Sequence, residues 1–131
     1  MPKFSEDSKK KLETCCTELQ VLFNTVIKHV DCTVICGYRN EQEQNEAFIK
    51  GNSKLKYPES KHNKIKSKAI DVLPYPIDWN DNERNYMFIG FVKGIAASMD
   101  LNIRSGADWD SDFDLKDNKF NDLPHFELIE I

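Results

Sequence analysis

Histidine is scarce in this sequence: His29, His62 and His125 are the only three in 131 residues. A basic excess is missing too. Eighteen Lys and Arg stand against 22 Asp and Glu, a formal net charge of −4, which speaks against nucleic acid as the main partner, because phosphate neutralisation dominates such binding. No apolar run approaches the roughly 20 residues that cross a bilayer. The richest, 86–99, is interrupted by Gly90, Lys93 and Gly94, so no stable membrane insertion is expected. The amino terminus lacks the basic start and apolar middle of a secretory signal, which predicts a chain that stays in the cytoplasm where it is made. Four cysteines occur without Cys-x-x-Cys spacing, which disfavours a four-thiolate zinc site and points to buried thiols.

The length suits one domain spanning 1–131 with one active surface. Apolar residues at steps of three and four from Leu12 to Val30, after Ser5 and its acidic followers, predict one long amphipathic helix. The β-branched segment 33–36 before Gly37 reads as a buried strand. Asn40 with Glu43 forms a capping pair for a helix ending at Gly51. Residues 52–68 have no apolar period and six lysines against Glu59 alone, a solvated basic loop. A strand at 69–73, closed by Pro74 and Pro76, is followed by a largely buried helix from Asn80 to about Met99. Strands at 101–104 and 125–129 complete the list. Several connections are too short for helical crossovers, so the expected class is α+β with a small, mainly antiparallel sheet packed with helices.

Two of the three histidines fall in a pattern with chemical meaning. His62 leads a loop into the strand bearing Asp71, and His125 opens the last strand three residues after Asp122. Two imidazoles and one carboxylate form a catalytic zinc set, since three protein ligands leave a fourth tetrahedral position for water. A second carboxylate near the metal serves as general base, and Asp122 is the natural candidate. Asp71, between Ile70 and Val72, needs a cation to remain charged if buried. The alternative partner for it is a lysine of the preceding loop. His29, near a helix carboxyl end, is read as structural.

The chain resembles the zinc peptidases of the D-alanyl-D-alanine metallopeptidase and hedgehog superfamily, and most closely the L-alanyl-D-glutamate endopeptidases used as phage endolysins and bacterial cell-wall hydrolases. Four segments carry the likeness in family order: Gly37-Tyr38-Arg39 with Glu41-Gln42-Glu43-Gln44, Ser60-Lys61-His62 leading to Ala69-Ile70-Asp71, Gly106-Ala107-Asp108-Trp109, and Asp122-Leu123-Pro124-His125-Phe126-Glu127-Leu128. The resemblance implies a single Zn²⁺ on His62, Asp71 and His125, with Asp122 as acid/base. It implies that Arg39 stabilises the negative oxygen of the tetrahedral intermediate and that Ser60 hydrogen-bonds substrate. Otherwise Arg39 would pair with Glu41 or Glu43, and Ser60 would only shape its loop. The His62–Asp71 interval is longer than the family's, and Ser67 stands where a glycine is usual. Such an insertion costs little closure entropy.

The implied function is cleavage of the L-Ala–D-Glu bond of the peptidoglycan stem by a monomeric phage endolysin that reaches the wall through a membrane lesion. The alternatives are a D,D-carboxypeptidase or D,D-dipeptidase, and, from another class, a zinc-stabilised binding module without turnover. The acidic series Asp108, Asp110, Asp112, Asp114 and Asp117 invites a regulatory Ca²⁺ site, but an EF-hand loop fails for want of its sixth-position glycine and twelfth-position glutamate. A solvated acidic loop is the default. The lysine-rich loop, set beside the metal, would attract anionic wall polymer or a substrate carboxylate.

Overall fold

The computed structural model describes residues 2–116 and 121–130. Ser5 caps the first helix, α1 (Glu6–Glu13), by accepting from the Ser8 N–H at 3.1 Å. The periodic stretch then breaks, and α2 (Thr17–Val26) begins afresh after Cys16. The single long helix expected from the apolar spacing is therefore two. No Gly or Pro marks the break. Backbone pairing makes it: Cys16 N–H donates to Ser67 O at 2.8 Å, and Ser67 N–H donates to Thr14 O at 2.9 Å, so a distant segment takes the hydrogen bonds that a continuous helix would have used.

The sheet is built from β1 (Cys32–Cys36), β2 (Ala69–Pro74), β3 (Ile103–Gly106) and β4 (Asp122–Leu128), in the order β1-β2-β4-β3 with every pair antiparallel. This is the expected α+β class. Between the strands, α3 (Glu41–Ile49) opens with the capping box of Asn40 and Glu43. A 3₁₀ turn at Lys61–Asn63, capped by Ser60, interrupts what reads as plain loop. α4 (Asn82–Ser98) is capped by Asp81 rather than Asn80, through the Arg84 N–H. β4 starts three residues earlier than its apolar run suggests, and His125 lies in its middle.

Strand alternation separates core from site. On β2, Ile70 and Val72 enter the core with β4's Phe126, while Asp71 falls on the other side opposite His125. Phe126 is fully buried between Phe23 of α2 and Phe88 of α4, edge to face at 5.5 and 6.3 Å between ring centroids. Substituting Phe126→Ala is expected to cost about 3–5 kcal/mol, read as a lower midpoint in urea unfolding. The helix α4 buries Phe88, Ile89, Val92 and Ala96 but exposes Met87, so it is one-sided rather than largely buried.

All four thiols are free, and Cys15, Cys16 and Cys32 are buried. Burial pushes the Cys15 and Cys32 thiols up to about 12. Among the described residues no helix is long and apolar enough to cross a membrane.

Candidate metal centre and catalytic cleft

Three elements each deliver one side chain to a common point. The 3₁₀ turn brings His62, the middle of β2 brings Asp71, and β4 brings His125 directly opposite Asp71 in the ladder. Asp71 Oδ1 lies 3.3 Å from His62 Nε2 and 3.3 Å from His125 Nδ1. The ligand atoms of all three fall within 4.8 Å of one another, and all three residues are buried.

The far side of each imidazole is fixed by the protein. His62 Nδ1–H donates to the Gly37 carbonyl at 2.7 Å, leaving Nε2 facing inward. His125 Nε2 meets Glu127 Oε1 at 2.8 Å, leaving Nδ1 facing inward. Carbonyl and carboxylate acceptors of this kind set ring tautomer and orientation at metal-binding histidines. His62 Nε2 and Asp71 Oδ1 are buried without a hydrogen-bond partner. A buried acceptor left unpaired is costly, and a divalent cation at the convergence point satisfies both atoms at once. The donor set of two imidazoles and a carboxylate matches zinc chemistry.

Charge reinforces the cluster. Burial pulls the His62 imidazole down, but the Asp71 carboxylate more than reverses this and holds it at about 10. Burial opposes ionisation of Asp71, yet His62 and His125 keep it well below the usual carboxylate range. Within the trio each imidazole and the carboxylate therefore favour one another's charged form. Asp122, at the start of β4, has its carboxylate 4.0 Å from His125 Nδ1. Burial, and then the Asp71 charge, raise it to about 6.

Arg39 comes close by a different route. Its Nη2 is 3.5 Å from Asp71 Oδ2, and its Nη1 donates to Gln44 Oε1 at 3.0 Å. Asp71 thus pairs with Arg39 and the histidines rather than with a loop lysine, and Arg39 pairs with Asp71 rather than with Glu41 or Glu43. The amide of Gln44, fully buried on α3, also donates to Ser53 Oγ and Leu55 O at 2.9 and 2.7 Å, so one side chain ties the arginine to the loop beyond. Ser60 Oγ accepts from His62 N–H at 3.1 Å, which makes it the cap of the ligand-bearing turn. It also lines the cleft.

Arg39, Ser60, His62, Asp122 and His125 share a cavity of about 410 Å³. An adjoining one of about 530 Å³, lined by Arg39, Asp71, Trp79, Asp122 and Pro124, continues the cleft past the His62–Asp71–His125 cluster. All six residues singled out in the sequence therefore meet at one place. A family model described as phage L-alanyl-D-glutamate peptidase matches residues 1–129.

The chain belongs to this family.

The L-alanyl-D-glutamate peptidase of Escherichia phage T5 is 32% identical over 135 residues, covering 97% of this chain and 98% of that protein. The crystal structure of the Serratia marcescens L-Ala D-Glu endopeptidase ChiX superimposes with a TM-score of 0.75 at 20% identity, covering 97% of this chain and 90% of that one. The first likeness supports the activity and the second the fold. As a phage L-alanyl-D-glutamate peptidase the chain is an enzyme, which sets aside the binding module without turnover.

Several neighbours of the site escape a reading of residue types alone. Glu127 follows His125 by two, so strand period two places both on one face, and that spacing was the available signal. Lys61 Nζ and Arg104 Nη2 hold Glu127 Oε2 at 3.2 and 2.7 Å. Burial raises the Glu127 carboxyl, but His125 and Arg104 bring it down to about 2. The Trp109 ring packs against His125, with centroids 5.2 Å apart. The remaining loop lysines are largely spent elsewhere: Lys66 donates to Glu13 O, Lys68 pairs with Glu130, and Lys56 lies over the Phe48 ring. The loop is also less solvated than its composition implies, since Ser60, His62, Asn63 and Ser67 are buried.

Of the acidic series, Asp108, Asp110 and Asp112 approach one another within 4.8 Å. Their oxygens already accept backbone N–H groups of the same loop: Asp108 from Asp112 and Phe113, Asp110 from Asp112, and Asp112 from Asp114. Asp114 instead accepts from Lys116 N–H, and Asp117 lies outside the described residues.

Gly106, in β3, lies against the Asp122 backbone so closely that an added Cβ would collide with the Asp122 carbonyl and Cβ. Gly106→Ala is expected to displace Asp122 and lower kcat at least tenfold while zinc content stays at the parent level, as read by paired kinetic and metal analysis.

Proposed function

We propose that this chain is a zinc-dependent endopeptidase that cleaves the L-Ala–D-Glu bond of the peptidoglycan stem, with His62, Asp71 and His125 as the metal ligands. The observation that carries the reading is the inward convergence of three buried ligand atoms, two of them lacking hydrogen-bond partners, beside Asp122 and Arg39. Bound there, zinc supplies a Lewis acid for the scissile carbonyl and lowers the pKa of water toward neutrality.

The protein's own groups do the rest. Asp122, half-shielded and 4.0 Å from His125, takes a proton from the attacking water and returns it to the departing D-Glu nitrogen. Arg39 faces the carbonyl oxygen as negative charge develops on it, and Gln44 keeps the guanidinium from swinging away. Ser60 offers its hydroxyl to the substrate backbone from the wall of the cleft. Glu127 keeps the His125 lone pair aimed at the metal. The reading takes the protein as a monomer that is a single catalytic unit. Family membership supports action on the cell wall during phage lysis, once the membrane barrier is breached.

Zinc-loaded protein incubated with purified cell walls should release new amino termini on D-Glu, identified by end-group labelling and mass spectrometry of the muropeptides. Absence of release at any metal or pH, or release of D-Ala instead, would overturn the assignment.

A further inference from the structure

One end of the cleft carries more positive charge than its contacts consume. Lys61 precedes His62 on the 3₁₀ turn, and Arg104 sits on β3 opposite Glu127 in the ladder. Both contact the same oxygen, Glu127 Oε2, while the other oxygen is taken by His125. One carboxylate thus faces two cations, and the trio keeps a residual positive charge. Both cations line the 410 Å³ cavity beside His62, His125 and Asp122, and their side chains are 36% and 35% exposed, so a bound molecule can reach them.

Their geometry is set in advance. Lys61 Nζ donates to Leu128 O at 2.9 Å and to Glu127, which engages two of its three N–H bonds. The Arg104 guanidinium lies over the Trp109 ring at 5.5 Å, and its Nη1 reaches the Trp109 carbonyl at 3.5 Å. Both groups keep donors to spare, and closing a substrate over them without an anion would leave a cation desolvated and underpaired.

The substrate of the proposed reaction carries a matching anion. A glutamyl residue has two carboxyl groups, and the stem continues from only one of them. The other stays free within a few bonds of the nitrogen that departs. Arg39, held by Asp71 and Gln44 beside the His62–Asp71–His125 cluster, is assigned to the oxygen of the scissile carbonyl and leaves the side-chain anion to other cations. We infer that Lys61 and Arg104 form a subsite for the free carboxylate of the D-Glu residue on the leaving side of the scissile bond. The inference rests on the peptidase reading and adds a direction to it: the leaving residue enters at the Lys61–Arg104–Trp109 end, and the acyl side extends toward Trp79.

Two synthetic stem peptides test this, one with the free D-Glu carboxylate and one with that carboxylate amidated. The zinc-loaded enzyme should cleave the acid with kcat/KM about ten- to a hundredfold above the amide, chiefly through KM, because a charge-assisted hydrogen bond is lost with the amide. Arg104→Gln and Lys61→Gln should each shrink that preference toward unity, and Arg104→Lys should restore part of it. Calorimetric titration of the uncleaved acid and amide into the Asp122→Asn protein should show the same preference without turnover. Equal cleavage of acid and amide by the unmodified enzyme overturns the subsite and leaves the peptidase reading standing. Variants that slow both substrates equally and keep the preference also overturn it, since such residues would only support Glu127. Cleavage of neither peptide overturns the peptidase reading and the inference with it.

Discussion

Alanine at position 125 is expected to abolish both metal retention and turnover. His125 Nδ1 is one of three inward ligand atoms, 3.3 Å from Asp71 Oδ1, so its loss leaves two protein ligands where a stable site uses three. The change reaches further, because Glu127 loses the partner that its Oε1 meets at 2.8 Å and remains buried at 5% exposure. Lys61 and Arg104 still hold the other oxygen, so the lost hydrogen bond costs about 1–3 kcal/mol. Metal analysis after dialysis should find about one zinc per parent chain and none in His125→Ala. Added zinc should raise the melting temperature of the parent and not of the variant, since only a state that binds the ion is stabilised by it. A variant that keeps stoichiometric zinc would remove His125 from the ligand set.

Asp122→Asn should separate binding from chemistry. Asparagine keeps the shape of the side chain and cannot accept the proton, so kcat is expected to fall by about 10²–10⁴ while zinc content is unchanged. The pH profile gives the sign of the same argument. Burial and the Asp71 charge raise the Asp122 carboxyl to about 6, and a bound cation pulls it down from there. The base form is present above its pKa, so kcat/KM should fall as pH drops through a midpoint at or below about 6. Asp122→Asn should erase that acidic limb. An unchanged limb would assign the titration to another group.

The convergence of His62, Asp71 and His125 was legible because it depends on rare residue types in telling places. An aspartate inside an apolar strand and a histidine on either side of it in the chain leave few other uses for a buried charge. The ladder then supplied what spacing alone does not, the register that sets Asp71 opposite His125. Arg39 and Ser60 were singled out only by resemblance, because the contacts they make, to Gln44, Asp71 and the 3₁₀ turn, are set by tertiary structure. Arg104 carried no signal at all, since its partner Glu127 is 23 residues away and meets it only through strand pairing. The break between α1 and α2 was hidden for the same reason: its cause, Ser67, is remote in sequence.

That break has a practical side for anyone shortening this enzyme. Thr14 Oγ1 accepts from Tyr38 N–H at 2.8 Å, and Gly37, which packs against Thr14, offers the carbonyl that orients His62. Ser67, clamped to Thr14 and Cys16, lies in the chain between His62 and Asp71. The two leading helices are therefore a buttress for the active centre, although they contribute no group to it. Trimming to the motif-bearing stretch 37–128 keeps Arg39, Ser60, His62, Asp71, Asp122 and His125 and discards the brace behind them. A chain that starts after the two helices is therefore expected to lose activity, read by cell-wall digestion against the full-length protein.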